Sequence, residues 1–371
     1  MARMLPDGRR LGAHLALGEG MVKAADRAAE IGATALQIFS DNPAAWRRRA
    51  APSPEIPEFR KRLTAAGIAP LVIHASYLIN LAGPDPSYHE RSVALLAAEL
   101  GSARRFGATI VNVHIGSHGG AGIESGIERL VAAVGRALEM ENDPDSVGEA
   151  HVGEADDVDG QWPGMPLEID LEATTTPPMI VFENSVGSGF GLGVTVDELA
   201  SIAGAMHAAD VPDDRIGFCL DTAHAWGAGY ELSDPAVTDT LLDELDRRIG
   251  LHRLRLIHVN DSRSELGSRS DRHEHVGAGR IGEPGLAHVL RHPRLAHATY
   301  ILETPGMDEG YDAINLSRAL ALAGDAPLAP LPPGAFTLRS GRARAATPVD
   351  PPATRVDPPA DSEASAAADT T

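Results

Sequence analysis

The chain predicts an α/β fold of the (β/α)8 TIM-barrel type, and three observations carry that reading. Eight short β-type runs alternate with helical stretches between residues 10 and 322. Most of the runs are near-continuously apolar, as parallel strands covered on both faces must be. No glycine-rich phosphate loop follows the first run, which argues against a doubly wound open sheet.

In order, the runs are Arg10 to Leu15, Ala35 to Phe39, Leu71 to His74, Thr109 to His114, Met179 to Asn184, Ile216 to Asp221, Leu254 to Asp261 and Tyr300 to Pro305. Between them the period becomes helical. Val93, Leu96, Leu100 and Ala103 share one helix face, as do Ile123, Ile127, Leu130, Val134 and Leu138. Eight such units make one barrel domain over residues 10–322, preceded by a short extension, 1–9. Residues 141–178 carry 11 acidic side chains and neither Lys nor Arg. They fall after a helix and before the fifth strand, so a flexible acidic insertion on the bottom face is expected. Residues 323–371, rich in Pro, Ala, Asp and Thr, read as a disordered tail.

With 371 residues, 43% of them apolar, the chain can bury a large core. Its single cysteine, Cys219, excludes an internal disulfide and a Cys-based zinc site, and suits a reducing compartment. No run of 18 apolar residues appears, and Met1 to Arg10 lacks the apolar stretch of a signal peptide. A soluble cytoplasmic protein with no membrane partner is expected. The net charge of −20 argues at first against a nucleic-acid partner. Without the insertion's −11 and the tail's −2, however, the remainder carries only −7. Carboxylates that bind cations are included in that figure, so charge alone does not decide the partner.

The ends of the runs hold the chemistry. The third ends in His74 and the fourth in His114; the fifth reaches Glu183 and the sixth ends in Asp221. The seventh carries His258 and the eighth Glu303. Six successive strands thus deliver a His or a carboxylate to the C-terminal face, where barrel active sites lie. His224 follows Asp221 by three residues, and Asp271 and His273 sit in the loop after the seventh run. A lone His at a strand end is usually a hydrogen-bonded structural residue. Five His, two Asp and two Glu on one face are different, because burying them without cations leaves like charges close together. Imidazole and carboxylate together suit zinc, manganese or iron(II).

Several motifs in order resemble the endonuclease IV family, the second family of AP endonucleases, within the xylose isomerase-like TIM barrels. They are His74-Ala75-Ser76-Tyr77-Leu78-Ile79-Asn80-Leu81, Asn112-Val113-His114-Ile115-Gly116-Ser117-His118 and Glu183-Asn184-Ser185-Val186-Gly187-Ser188-Gly189. Asp221-Thr222-Ala223-His224-Ala225-Trp226-Gly227-Ala228-Gly229-Tyr230 and His258-Val259-Asn260-Asp261 follow. The most specific is Gly267-Ser268-Arg269-Ser270-Asp271-Arg272-His273, followed by Gly277-Ala278-Gly279-Arg280-Ile281-Gly282. Gly12-Ala13-His14 fits as well.

The resemblance implies three divalent metal ions, zinc at each site with manganese the alternative at the third. His74 and His114 would hold the first, with Glu183 bridging to the second. Asp221, His258 and Glu303 would complete the second. His224, Asp271 and His273 would hold the third. Glu183 and Glu303 are then the carboxylates nearest the chemistry. The implied activity is incision of damaged duplex DNA 5′ to an abasic site, leaving a 3′-hydroxyl and a 5′-deoxyribose phosphate. Removal of 3′-blocking groups in base excision repair is implied too, by a cytoplasmic monomer working at the nucleoid.

For DNA contact, the resemblance points to Tyr77 and Leu78 as wedges into the duplex. Arg47, Arg269 and Arg272 lie on loops where phosphates would run, as do Arg48, Arg49, Arg263 and Arg280. Where the family carries an Arg-Gln pair after the second strand, this chain has Ala44 and Ala45, so weaker or less damage-selective DNA binding is expected. The alternative reading is a metal-dependent sugar isomerase or epimerase on the same barrel. That reading has no use for a third ligand trio.

Overall fold

The computed structural model describes residues 4–49, 51–142, 176–306 and 309–337. Eight strands close a parallel barrel: β1 (Leu11–His14), β2 (Ala35–Phe39), β3 (Leu71–His74), β4 (Ile110–His114), β5 (Met179–Glu183), β6 (Ile216–Asp221), β7 (Leu254–His258) and β10 (Thr299–Leu302), with β10 returning to β1. The expected runs match these strands to within one or two residues except at the seventh and at the end of the eighth, which stops at Leu302 rather than Pro305. The seventh strand stops at His258, and Asp261–Ser262 (β8) instead pairs antiparallel with His273–Glu274 (β9). That ribbon folds the long loop back over the barrel mouth.

Helices α1 (Met21–Ile31), α2 (Ile56–Ala66), α3 (Pro86–Phe106), α4 (Ile123–Asn142), α5 (Val196–Ala208), α7 (Pro235–Arg248), α8 (Gly282–Arg291) and α9 (Asp312–Ala323) clothe the outside, while the short α6 (Thr222–Ala228) is buried at the end of β6. Their ends follow the local sequence. The Asp85 carboxylate caps the start of α3 and Pro86 opens it, while Gly107 ends it in the left-handed region. The apolar faces expected on α3 and α4 are buried, except for Ile123 at the start of α4, which is exposed.

A separate apolar cluster fills the barrel lumen. Ala35, Val72, Ile110, Val181, Cys219, Leu256 and Ile301 come from seven different strands and touch one another. At the same level β1 offers Gly12, where an added Cβ would lie 2.0 Å from the Ala35 carbonyl oxygen. Only glycine fits there. This plug closes the lumen and makes its C-terminal mouth a one-ended pocket.

Three expected boundaries shift. Residues 4–9, the described part of the expected extension, pack on the barrel: Leu5 is buried, and the Arg9 guanidinium donates to Tyr300 Oη at 2.8 Å. Glu141 and Asn142, placed in the acidic insertion, belong to α4. Glu141 is buried because Arg104 and Arg215 reach it at 2.6 and 2.5 Å. At the other end, 324–337 continue the fold. His275 Nε2 donates to the Ala335 carbonyl, Arg318 donates to the Ala329 carbonyl, and Leu328 packs on the core. Proline-rich composition there reflects a segment laid along the barrel, fixed by side chains of other elements. Residues 143–175 and 338–371, the rest of the expected insertion and tail, lie outside the described residues.

Candidate metal centre

Side chains of a strand alternate between its two faces, so the lumen-facing residue after each plug residue stands two positions further on. Adding two to the plug positions gives Gln37, His74, Asn112, Glu183, Asp221, His258 and Glu303, and Gly12 gives His14. The polar layer is therefore the next pleat above the apolar plug. His114, two residues beyond Asn112, lies level with Glu183 on the neighbouring strand. The same period that packs the core delivers the titratable groups.

His224 arrives differently. The Asp221 carboxylate caps α6 by accepting from the His224 N–H at 2.8 Å, which starts a helix at the strand end and turns the imidazole inward. Asp271 and His273 come from the ribbon strand β9 and the loop before it. The Arg263 N–H donates to the Arg272 carbonyl at 3.0 Å and holds the loop's two limbs together. Asp261, wholly buried, accepts backbone N–H groups from Ser262, Gly279 and Ile281 and ties the glycine-rich segment beneath.

Glu183 is the hub. Its Oε2 lies 3.7 Å from His74 Nε2 and 3.5 Å from His114 Nε2; its Oε1 lies 3.5 Å from His258 Nδ1 and 3.0 Å from His224 Nδ1. His258 Nδ1 also faces Asp221 at 3.7 Å and Glu303 at 3.3 Å. Asp271 presents one oxygen to His273 Nε2 at 2.9 Å and the other to His224 Nε2 at 3.4 Å. All nine expected side chains thus meet at the mouth. Among the described residues, the His and carboxylate side chains of the mouth make three groups with ligand atoms close enough for one ion each, beside one that includes Cys219: His74, His114 and Glu183; Glu183, Asp221, His258 and Glu303; Asp221, His224 and His273. The third differs from the expected trio in drawing on Asp221, with Asp271 bridging its two imidazoles from the solvent side.

Hydrogen bonds around the cluster set which nitrogen faces inward. The Ala75 carbonyl can only accept, so His74 Nδ1 donates to it at 2.8 Å and Nε2 keeps its lone pair toward Glu183. His273 Nδ1 likewise donates to the Glu303 carbonyl at 2.7 Å. The Gln37 amide donates to Glu303 Oε1 at 2.7 Å, so its oxygen accepts from His258 Nε2 at 3.0 Å and leaves Nδ1 bare. Asn112 donates to Glu183 Oε2 and Asn260 to Asp221 Oδ2, each at 2.6 Å. Gln37, Asn112 and Asn260 were not singled out from the sequence. The signal was present, since Gln37 and Asn112 fall on the two-residue step above the plug and Asn260 lies within the His258 motif.

These donors fit a metal cluster. Glu183 Oε1, His258 Nδ1 and His273 Nε2 are buried and accept or donate no hydrogen bond. Ligands around a tetrahedral ion with bonds of 2.0–2.1 Å stand about 3.3 Å apart, the spacing seen here between the facing atoms. Cys219 also lies within ligand distance of Glu183 and His258, but it belongs to the apolar plug one pleat below, where burial pushes its thiol up to about 12.

The electrostatics divide the imidazoles. Burial drives His74 down to about 3, so it is neutral. Burial also opposes charge on His273, yet Asp271 first and then Asp221 and Glu303 carry it up to about 9. His224 and His258 are raised as well, against burial, by Asp221 and Asp271 for the former and chiefly by Cys219, Glu303 and Glu183 for the latter. Glu183 and Glu303 are held well below the ordinary carboxylate range despite burial, the former by His114 and His258, the latter by His258 and His14. The cluster is thus rich in anionic oxygens and attracts positive charge, which in the absence of an ion is met by protons on His224, His258 and His273.

Tyr77 is 39% exposed at the rim, its ring 5.6 Å from that of His74. Leu78 is half-buried and packs on the core. The loop bearing both hangs from the one bearing Ala44 and Ala45, through the Pro43 carbonyl, which accepts from Ser76 Oγ and from the Tyr77 N–H. The arginines divide. Arg48 is consumed by Glu99, Arg49 by Asp41 and Arg280 by Glu265, so these three are paired rather than open cations. Arg47, Arg263, Arg269 and Arg272 are exposed and make no ion pair among the described residues.

Residues 25–322 match the family model described as a xylose isomerase-like TIM barrel. A protein of Methanoculleus marisnigri named probable endonuclease 4 is 38% identical over 85% of this chain and 99% of its own length. One of the same name from Halothermothrix orenii is 36% identical over 83% and 99%. The crystal structure of endonuclease IV from Thermus thermophilus superposes with a TM-score of 0.66 at 35% identity, covering 85% of this chain and 100% of that one. Among the described residues no helix is long and apolar enough to cross a membrane. By its fold, its site and these relatives, the chain belongs to the endonuclease IV family of the xylose isomerase-like TIM barrels.

Proposed function

We propose that the protein is an AP endonuclease that hydrolyses the phosphodiester 5′ to an abasic site in duplex DNA. The products are a 3′-hydroxyl and a 5′-deoxyribose phosphate, and the same phosphate site would clear blocked 3′ ends. The observation that carries this reading is the meeting of nine ligand-type side chains around Glu183, with the His224, Asp271 and His273 set at the solvent side. The names of the relatives agree with it.

His74, His114 and Glu183 would hold one ion, Glu183, Asp221, His258 and Glu303 a second, and His224, Asp271 and His273 a third, with Asp221 in reach of both the second and the third. Such divalent cations, zinc by the donor set, would neutralise phosphate charge and bring the pKa of an attacking water from 15.7 toward roughly 7. The protein supplies the rest. Gln37, Asn112 and Asn260 fix the carboxylates and His258, so the anionic oxygens point at one volume rather than at each other. The ring of Tyr77 covers His74 and shields that volume from bulk water. Arg47, Arg269 and Arg272, with Arg263, offer guanidinium groups to DNA phosphates. Tyr77 is the better placed wedge, because packing already uses part of Leu78. We place the enzyme with DNA in the cytoplasm, acting as a monomer.

A duplex carrying one tetrahydrofuran abasic analogue tests the proposal. The expected outcome is a single cut on its 5′ side that disappears on chelation and returns with zinc. An uncut duplex, or a cut indifferent to chelation, overturns it. The rival sugar isomerase needs one or two ions and gives no role to His224, Asp271 and His273. A chain that epimerises sugars and leaves the duplex intact would establish that rival.

A further inference from the structure

Outside the mouth, one other cluster of the described residues brings metal-ligand atoms together. Asp239 on α7, His288 on α8 and His292 at the end of α8 each point one ligand atom into a common space. His288 and His292 are four residues apart, so they lie one above the other on one helix face. His288 Nε2 is 2.6 Å and His292 Nε2 3.2 Å from Asp239 Oδ1. Their rings meet edge to face with centroids 5.3 Å apart.

We propose that Asp239, His288 and His292 form a second, separate binding site for a zinc-class divalent ion, which clips α7 to α8 on the outer wall of the barrel. No residue is shared with the cluster at the mouth. Two imidazoles and one carboxylate are a donor set that zinc favours, with one position left for water. A groove of about 520 Å³, lined by Pro235, Pro284, Ala287 and Arg291 among others, opens beside His288 and gives that water access.

The scaffold is stiff enough to present the donors. His292 is buried, and its carbonyl accepts from Arg9 at the start of β1. Arg294 holds the next turn to α7 through Asp243 and Asp246, at 2.5 and 2.8 Å. Of the two imidazole–carboxylate pairs, His292 with Asp239 already stands near the 3.3 Å or so expected around a tetrahedral ion; His288, the more exposed imidazole, must withdraw by about 0.7 Å. Without an ion, His288 hydrogen-bonds Asp239 Oδ1, and His292 stands 3.2 Å from the same oxygen. With it, the same three atoms become a bridge between segments 49 residues apart.

The full chain should be dialysed to equilibrium against zinc, in parallel with His288→Ala and Asp239→Asn. Zinc per chain is then read by elemental analysis, and Tm is measured with and without zinc. Asp239→Asn keeps the shape and a hydrogen-bonding oxygen but removes the anionic ligand. The proposal predicts that each variant holds one zinc fewer than the parent, and that part of the parent's zinc-dependent rise in Tm is lost in both. Equal zinc content in parent and variants overturns it, as does a loss confined to His288→Ala. A failure of the mouth to hold three ions would lower the content of all three proteins alike, and so is told apart from a failure here.

Discussion

His74 and His273 belong to one side-chain cluster and are held there by different means. His74 rides on a barrel strand, two residues above Val72 in the lumen plug, and burial keeps it neutral. His273 rides on a two-residue ribbon over the mouth, and its environment is set by Asp271, a neighbour in its own loop that is 38% exposed. The strand-borne ligands inherit their positions from the pleat, which the whole core enforces. The ribbon-borne ligands depend on local bonds, from the Arg263 N–H to the Arg272 carbonyl and from the Gly279 N–H to Asp261. The inner part of the site should therefore be rigid and hard to vary. The outer part should tolerate change in geometry.

The largest expected effect lies on the strand side. Glu183→Gln removes the charge that both inner ligand groups share, so nicking of abasic duplex should fall by at least roughly 1000-fold, on the order of 4 kcal/mol of barrier. Elemental analysis should show more than one ion lost. If Asp271→Ala costs as much activity and as many ions, the distinction between inner and outer ligands fails.

A smaller effect is expected one step out. Gln37→Ala leaves every proposed ligand in place but frees His258 to rotate and strips a donor from Glu303, and such supporting residues are typically worth about 10- to 100-fold in metal affinity or activity. Stopped-flow metal uptake together with nicking rates would read it. Unchanged uptake would mean that the plug, and not the amide, orients His258.

The smallest effect is a titration of the metal-free protein. His273, raised to about 9 from an ordinary 6.5, contributes stability that is complete below pH 6.5 and disappears as pH rises through about 9. Asp271, held below its ordinary 3.8, contributes stability present above that value and lost in acid. His74 should stay neutral down to about pH 3. Imidazole proton resonances followed across this range check both histidines, and the acid limb of a stability curve checks Asp271. A His273 titrating at its ordinary value would remove the electrostatic half of the comparison.

The sequence carried the inner region further than the outer one. Continuous apolar runs located the strands, and His74, His114, Glu183, Asp221, His258 and Glu303 stood at their ends. Gln37 and Asn112 were missed because an amide on a strand resembles an ordinary polar residue until the plug two positions earlier is known to face the lumen. The arginines were over-read. Arg48 looked like an open cation, but its partner Glu99 is 51 residues away on α3, a distance no local pattern reveals. The segment after 323 was under-read for the same reason, since His275 and Arg318, which tie it down, lie on other elements. Periodicity reports which face a residue takes. It does not report long-range pairing.

The most direct measurement is diffraction from a zinc-loaded crystal at the zinc absorption edge. Three anomalous peaks at the barrel mouth are predicted: one among His74, His114 and Glu183, one among Asp221, His258 and Glu303, and one among His224, Asp271 and His273. Fewer than three peaks there, with the outer trio empty at saturating zinc, would contradict the account.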